Sequence, residues 1–194
     1  LPIHVTAATL IGLPVLIVGV LLSVMWNDVS REAVTGQAVL NLKNLHSLTT
    51  AKVNDLLSMP PRICKLNEGF IVDGVLDPED LHSWRSIYIN ELSSFEILSS
   101  IVWGSADGRA LWVARYTNGD TYWAVKDDPA AETINEWRLE SDGAVSEEFR
   151  SIPWVLFDRP WFKSPCEAGG PAWTEPFVWA GGDQLGEPTL GISY

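Results

Sequence analysis

No Asp, Glu, Lys or Arg occurs among the first 27 residues; the first such charge is Asp28. Residues 5–26 are apolar apart from Thr6, Thr9 and Ser23. At about 1.5 Å per residue a helix over this stretch is roughly 33 Å long, close to the hydrocarbon thickness of a bilayer. Gly12, Pro14 and Gly19 would weaken a water-exposed helix but are tolerated in membrane helices, and Trp26 stands where an interfacial aromatic belongs. A signal peptide has a shorter apolar region followed by a small-residue cleavage site, and none follows Trp26 clearly. A buried core helix rarely stays uncharged for so long. The expectation is a transmembrane helix over 5–26. Residues 1–4 are then the truncated cytoplasmic end, with membrane lipid as the partner of 5–26.

The rest of the chain divides by periodicity. Ala38, Leu42, Leu45, Thr49, Val53 and Leu56 recur at spacings of three and four and share one helical face, opposite Asn41, Lys43, Asn44 and Asn54. This predicts a stalk helix over 28–58 that pairs with a second copy as a homodimer and is ended by Pro60 and Pro61. A second helix is predicted over 78–92, with Asp77 as its N-cap and Glu79 and Asp80 at its positive end. Strands are predicted over 97–103, 109–116, 121–125 and 134–140. Asp107-Gly108, Asn118-Gly119 and Asp142-Gly143 offer the tight turns of an antiparallel meander. Further strands are expected over 177–180 and 189–194, with a short helix near 161–168 between the sheet halves. The fold class is α+β.

Composition removes several functions. The formal net charge is −12, and 13 scattered Lys and Arg supply no surface for nucleic acid. His4, His46 and His82 are dispersed, and Cys64 and Cys166 are far apart without metal-ligand spacing. Two unpaired, partly buried thiols are expected, although a disulfide is open in an oxidising compartment. No P-loop, dinucleotide-binding glycine pattern or nucleophile elbow occurs, so no catalytic residue, cofactor or metal is assigned. Asp73, Asp77, Glu79 and Asp80 lack the ligand order and glycine of a calcium loop and suit a solvated face. Gly181-Gly182-Asp183 is a turn signal rather than a phosphate cradle.

Three late motifs stand in order: Arg159-Pro160-Trp161-Phe162, Gly169-Gly170-Pro171 and Trp173-Thr174-Glu175-Pro176-Phe177. Upstream of them lie Leu57-Ser58-Met59-Pro60-Pro61, Leu66-Asn67, Gly74-Val75-Leu76-Asp77, and Ser99-Ser100-Ile101-Val102-Trp103-Gly104 before Asp107-Gly108. Together these resemble the membrane-distal half of a double Cache sensor domain, over most of residues 28–194. The resemblance implies a PAS-like sensor module over 59–194, incomplete at its C-terminal end, in the periplasm and anchored in the inner membrane of a Gram-negative cell. It also implies a small-molecule ligand and a cytoplasmic output domain beyond this chain: a histidine kinase, a nucleotide or diguanylate cyclase or phosphodiesterase, or a chemoreceptor.

In ligand-binding members of that family the Arg and the aromatic pair of an R-x-W-Y/F motif line the pocket, which implies Arg159, Trp161 and Phe162 here. A guanidinium holds a carboxylate by paired hydrogen bonds while rings exclude water. The amino-acid-binding subfamily has a Tyr five residues before the Arg and a Tyr-x-Asp about eighteen after it. This chain has Trp154 and Phe177-Val178-Trp179 at those places. The Asp that would pair with an α-amino group is absent, so a carboxylate or largely apolar ligand is expected. Trp154, Trp173, Phe177 and Trp179 complete the candidate site. The competing readings are an ion pair or loop contact for Arg159, beside Asp158, and plain core packing for Trp161 and Trp173. A structural or dimerisation module that binds nothing is the alternative to the sensor.

Overall fold

The computed structural model describes residues 3–179 and 189–194, with the side chains of 3–11 and 147–149 left outside the description. The expected turn at Gly181-Gly182-Asp183 and the strand end at Ala180 lie outside the described residues. The chain divides into two units, Leu1–Asp55 and Leu56–Tyr194.

Helix α1 (Ile3–Val72) supplies all the described structure of the first unit. Leu16, Ile17, Leu21 and Leu22, which point to different sides of the helix, are all exposed, as is Trp26. An apolar surface on every side has no face for water, and this helix is long and apolar enough to cross a membrane.

In the second unit α1 passes through Pro60 and Pro61 instead of ending there. The two prolines deny helical donors to the carbonyls of Leu56 and Leu57, at about 3 kcal/mol each. Immediately afterwards Ile63 is buried and Phe70 and Ile71 pack against the core. Full burial of a side chain such as Ile63 contributes about 1.5–3 kcal/mol, and the partly buried Phe70 and Ile71 add to it, which offsets the cost of the prolines. The helix closes on a Schellman motif: Val75 N donates to Phe70 O at 2.8 Å and Gly74 N to Ile71 O at 3.1 Å.

The second helix also starts later than predicted. A 3₁₀ turn (Leu81–Trp84) leads into α2 (Arg85–Ser94). The Asp77 carboxylate accepts from Glu79 N at 3.0 Å, while the Asp77 carbonyl accepts from Trp84 Nε1 at 2.8 Å. Arg109 Nη1 donates to Pro78 O at 2.6 Å. Residues 77–80 are thus engaged by side chains from elsewhere and never enter the helix.

Strands β1 (Ser100–Gly104), β2 (Ala110–Arg115), β3 (Thr121–Lys126), β4 (Thr133–Leu139) and β5 (Val145–Pro153) form an antiparallel meander in sequential order. Gly108, Gly119 and Gly143 hold positive φ at the turns, as the Asp-Gly and Asn-Gly pairs predicted. β5 was not anticipated: its Ser, Glu and Arg residues mask a strand signal, and register shifts between Glu136 and Trp137 and between Arg138 and Leu139 break its alternation. β6 (Phe177–Trp179) and β7 (Thr189–Gly191) form a separate two-stranded sheet rather than continuing the first.

Strand alternation sorts the core onto two faces. Leu111, Val113, Trp123 and Val125 face α1 and α2, with Trp84, Tyr88 and Leu92 packed on them. Ala110, Trp112, Ala114, Tyr116, Tyr122 and Ala124 lie on the opposite face with Trp154 and Leu156. Helix α3 (Pro160–Ala168) follows the short 3₁₀ turn Leu156–Asp158 on that second side.

Candidate functional site

The site begins where β5 ends. Trp154 N donates to Glu132 O at 3.0 Å, which carries the chain past the edge of β4 and buries the indole. Arg159 precedes a proline and is therefore held extended, at φ −78° and ψ 128°. Pro160 opens α3, and the Arg159 carbonyl accepts from Phe162 N at 3.0 Å and Lys163 N at 2.9 Å. The Arg159 guanidinium lies 3.7 Å from the centre of the Trp154 ring. Trp154 in turn packs on Trp112 at 4.7 Å.

These residues border a cavity of ≈ 130 Å³ on the second face of the sheet. Its floor is Ser100 and Val102 of β1, Trp112 and Ala114 of β2, and Arg150 and Ile152 of β5. Arg159, Pro160 and Trp161 form one wall, and Phe177, Val178, Trp179 and Ser193 another. Trp179 meets Tyr116 edge-on at 5.4 Å.

A buried polar network underlies the floor. Glu136 is fully buried and pairs across the strands with Arg150. Arg150 Nε donates to Glu136 Oε2 at 2.7 Å, and Trp112 Nε1 donates to Glu136 Oε1 at 2.9 Å. The Tyr116 hydroxyl also donates to Glu136 Oε1 and accepts from Arg150 Nη2 at 2.8 Å. Burial first, and then the Glu136 charge, push the Tyr116 phenol well above its ordinary range. Arg159 is half-buried, and loss of hydration lowers its pKa from the usual guanidinium value.

The structure brings Trp154, Arg159, Trp161, Phe177 and Trp179 together around one cavity. Phe162 does not line it: its ring packs against Phe157 at 5.6 Å and against the underside of β1 at Gly104. Trp173 pairs with Tyr194 at 5.3 Å and borders a larger, adjoining apolar cavity of ≈ 690 Å³ between residues 56–72 of α1, β1 and the C-terminal segment, which shares Ser100, Val102, Phe177, Trp179 and Ser193 with the first. Trp112, Tyr116, Glu136 and Arg150 escaped the sequence reading. Glu136 sits two residues into a predicted strand among Trp and Asn, which is a usable signal only once the register with Arg150 is known.

Both cysteines are free and exposed rather than partly buried. Cys64 borders the larger cavity, where its Sγ lies 3.9 Å from the Tyr194 carbonyl oxygen. Among the described residues no group of three His, Cys, Asp or Glu can hold a metal ion. No protein-family model, no curated protein and no solved structure matches the chain.

Proposed function

We propose that the chain is the anchored, extracytoplasmic sensing part of a bacterial transmembrane receptor, with a PAS-like Cache module that binds a small molecule. The observation that carries this reading is the cavity walled by Arg159, Trp154, Trp161, Phe177 and Trp179. Its walls come from residues 154–161 and 177–179 and its floor from β1, β2 and β5, and a mostly apolar hollow with a few polar groups is the ordinary form of a small-molecule site. The apolar helix, long enough to cross a membrane, supports the anchor; on this reading the membrane is the inner one and residues after 27 lie in the periplasm. Ligand bound between the sheet and α3 draws these segments together, and a homodimer of stalk helices carries the shift to a cytoplasmic output domain.

The intact chain in detergent, melted against a panel of small carboxylates, amino acids, amines and nucleobases, tests the idea. A true ligand at a hundredfold its Kd raises Tm by about 5–10 °C. Arg159→Ala abolishes that rise. A flat panel sinks the sensor reading. It would leave the dimerisation module, which the exposed Leu42, Leu45 and Val53 of the stalk favour.

A further inference from the structure

We infer that the cavity beside Trp154 selects a short carboxylate that carries no amino group, an inference that rests on its being a ligand site. The first reason is the donors left over. Trp154 lines the cavity, is 7 % exposed, and its indole N–H meets no acceptor among the described residues. Arg159 Nε, in the same wall, is likewise buried without an acceptor among them. A buried donor without a partner is costly, and more so on a charged group, so two in one wall call for an acceptor from outside.

The second reason is the acceptor already used. Glu136 is the carboxylate nearest the floor, and its two oxygens receive Trp112 Nε1, the Tyr116 hydroxyl and Arg150 Nε. Three of its roughly four acceptor sites are thus taken and its charge is paired with Arg150, which leaves a poor partner for an ammonium. Asp158, next to Arg159 in the chain, is exposed and does not border the cavity.

Rings such as Trp112, Trp154 and Trp179 are also the material of a cage for a quaternary ammonium. The charges decide against it. Arg159 already covers the Trp154 face at 3.7 Å, and the Arg150 guanidinium lies 5.9 Å from the Tyr116 ring centre. A cationic ligand would meet two guanidinium groups against one carboxylate. An anion meets the reverse.

Size narrows the class. The cavity of ≈ 130 Å³ is slightly smaller than an engineered hollow of about 150 Å³ that holds benzene, so it suits about five or six non-hydrogen atoms. A straight-chain acid of three or four carbons fits: the carboxylate on Trp154 and Arg159, the alkyl end against Val102 and Ile152.

The test is titration of the detergent-solubilised chain with propionate, butyrate, alanine, propylamine and choline, followed by tryptophan fluorescence. Propionate or butyrate is expected to bind at least about tenfold more tightly than alanine, propylamine or choline. Trp154→Phe keeps a ring but removes the N–H, and weakens the acid about tenfold; Arg159→Gln weakens it up to about a hundredfold. Near-ultraviolet circular dichroism confirms that each variant is folded, and Trp154→Phe alone suffices if Arg159→Gln is not. Alanine, propylamine or choline binding as well as the acids overturns the inference while leaving the cavity a ligand site. Acids that bind equally well to the folded Trp154→Phe chain also overturn it. If no titrant binds, the inference fails. The broader thermal panel then tells whether the sensor reading falls with it.

Discussion

Glu136 shows how much one residue carries. Its carboxylate is wholly buried and held by three donors, and the Arg150 side chain beside it is 11 % exposed. Exchanging it for the neutral amide leaves a buried guanidinium without its countercharge. Glu136→Gln is therefore expected to cost roughly 3 kcal/mol and to lower Tm by about 6–12 °C in thermal denaturation. A loss below about 1 kcal/mol would mean that Arg150 is satisfied without the charge. At this scale the sequence was only half legible. Arg159 and its aromatic neighbours stand in a compact local motif, whereas Glu136 and Arg150 become partners only when β4 and β5 pair with register shifts.

At the scale of elements, α1 and α2 meet through a polar contact within their apolar interface. Asn67 Nδ2 donates to Glu91 Oε2 at 3.0 Å, while Asn67 Oδ1 and Glu91 Oε1 are buried without partners among the described residues. Burial raises the Glu91 pKa, so the folded chain holds this proton more tightly than the unfolded one. Its ionisation therefore lowers stability as pH rises from the unfolded carboxylate value, about 4.3, through the raised folded value. Glu91→Gln removes that fall and lets an amide N–H reach Asn67 Oδ1. Urea unfolding at neutral pH should show a gain of about 0.5–1.5 kcal/mol that shrinks toward acid pH; a loss of stability would contradict this account.

The prolines provide a second test of the same helix. If α1 is continuous through Pro60 and Pro61, Pro61→Ala restores a donor to the Leu57 carbonyl and stabilises the chain by about 1–3 kcal/mol. No gain would indicate that the helix does not run through 60–61 in solution. The helix was predicted to stop there because local rules count the missing donors. The burial of Ile63, Phe70 and Ile71 that outweighs them is a tertiary fact.

For the molecule as a whole, the apolar helix makes a prediction about place. Leu16→Arg sets a charge near the middle of the proposed span and should weaken membrane insertion by about 2.5–3.5 kcal/mol, read as release into the supernatant on carbonate extraction. Unchanged retention would remove the anchor. A bacterial alkaline phosphatase fused after Tyr194 is expected to be active, since that enzyme needs disulfides that form only outside the cytoplasm. An inactive, stably expressed fusion would reverse the orientation.

What the sequence determined alone was what local chemistry decides: the uncharged helix, the three glycine turns, the period-two strands, and the α+β order. Each depends on neighbours within a few residues, where φ, ψ and periodicity are set. Only the tertiary structure decided the rest. It extended α1 past two prolines, added β5, set β6 and β7 in a sheet of their own, and sent Phe162 and Trp173 away from the cavity. It also built the Glu136–Arg150 pair beneath it. Those outcomes depend on which buried surfaces meet across long sequence separations, and no local pattern encodes the free energy of such a meeting.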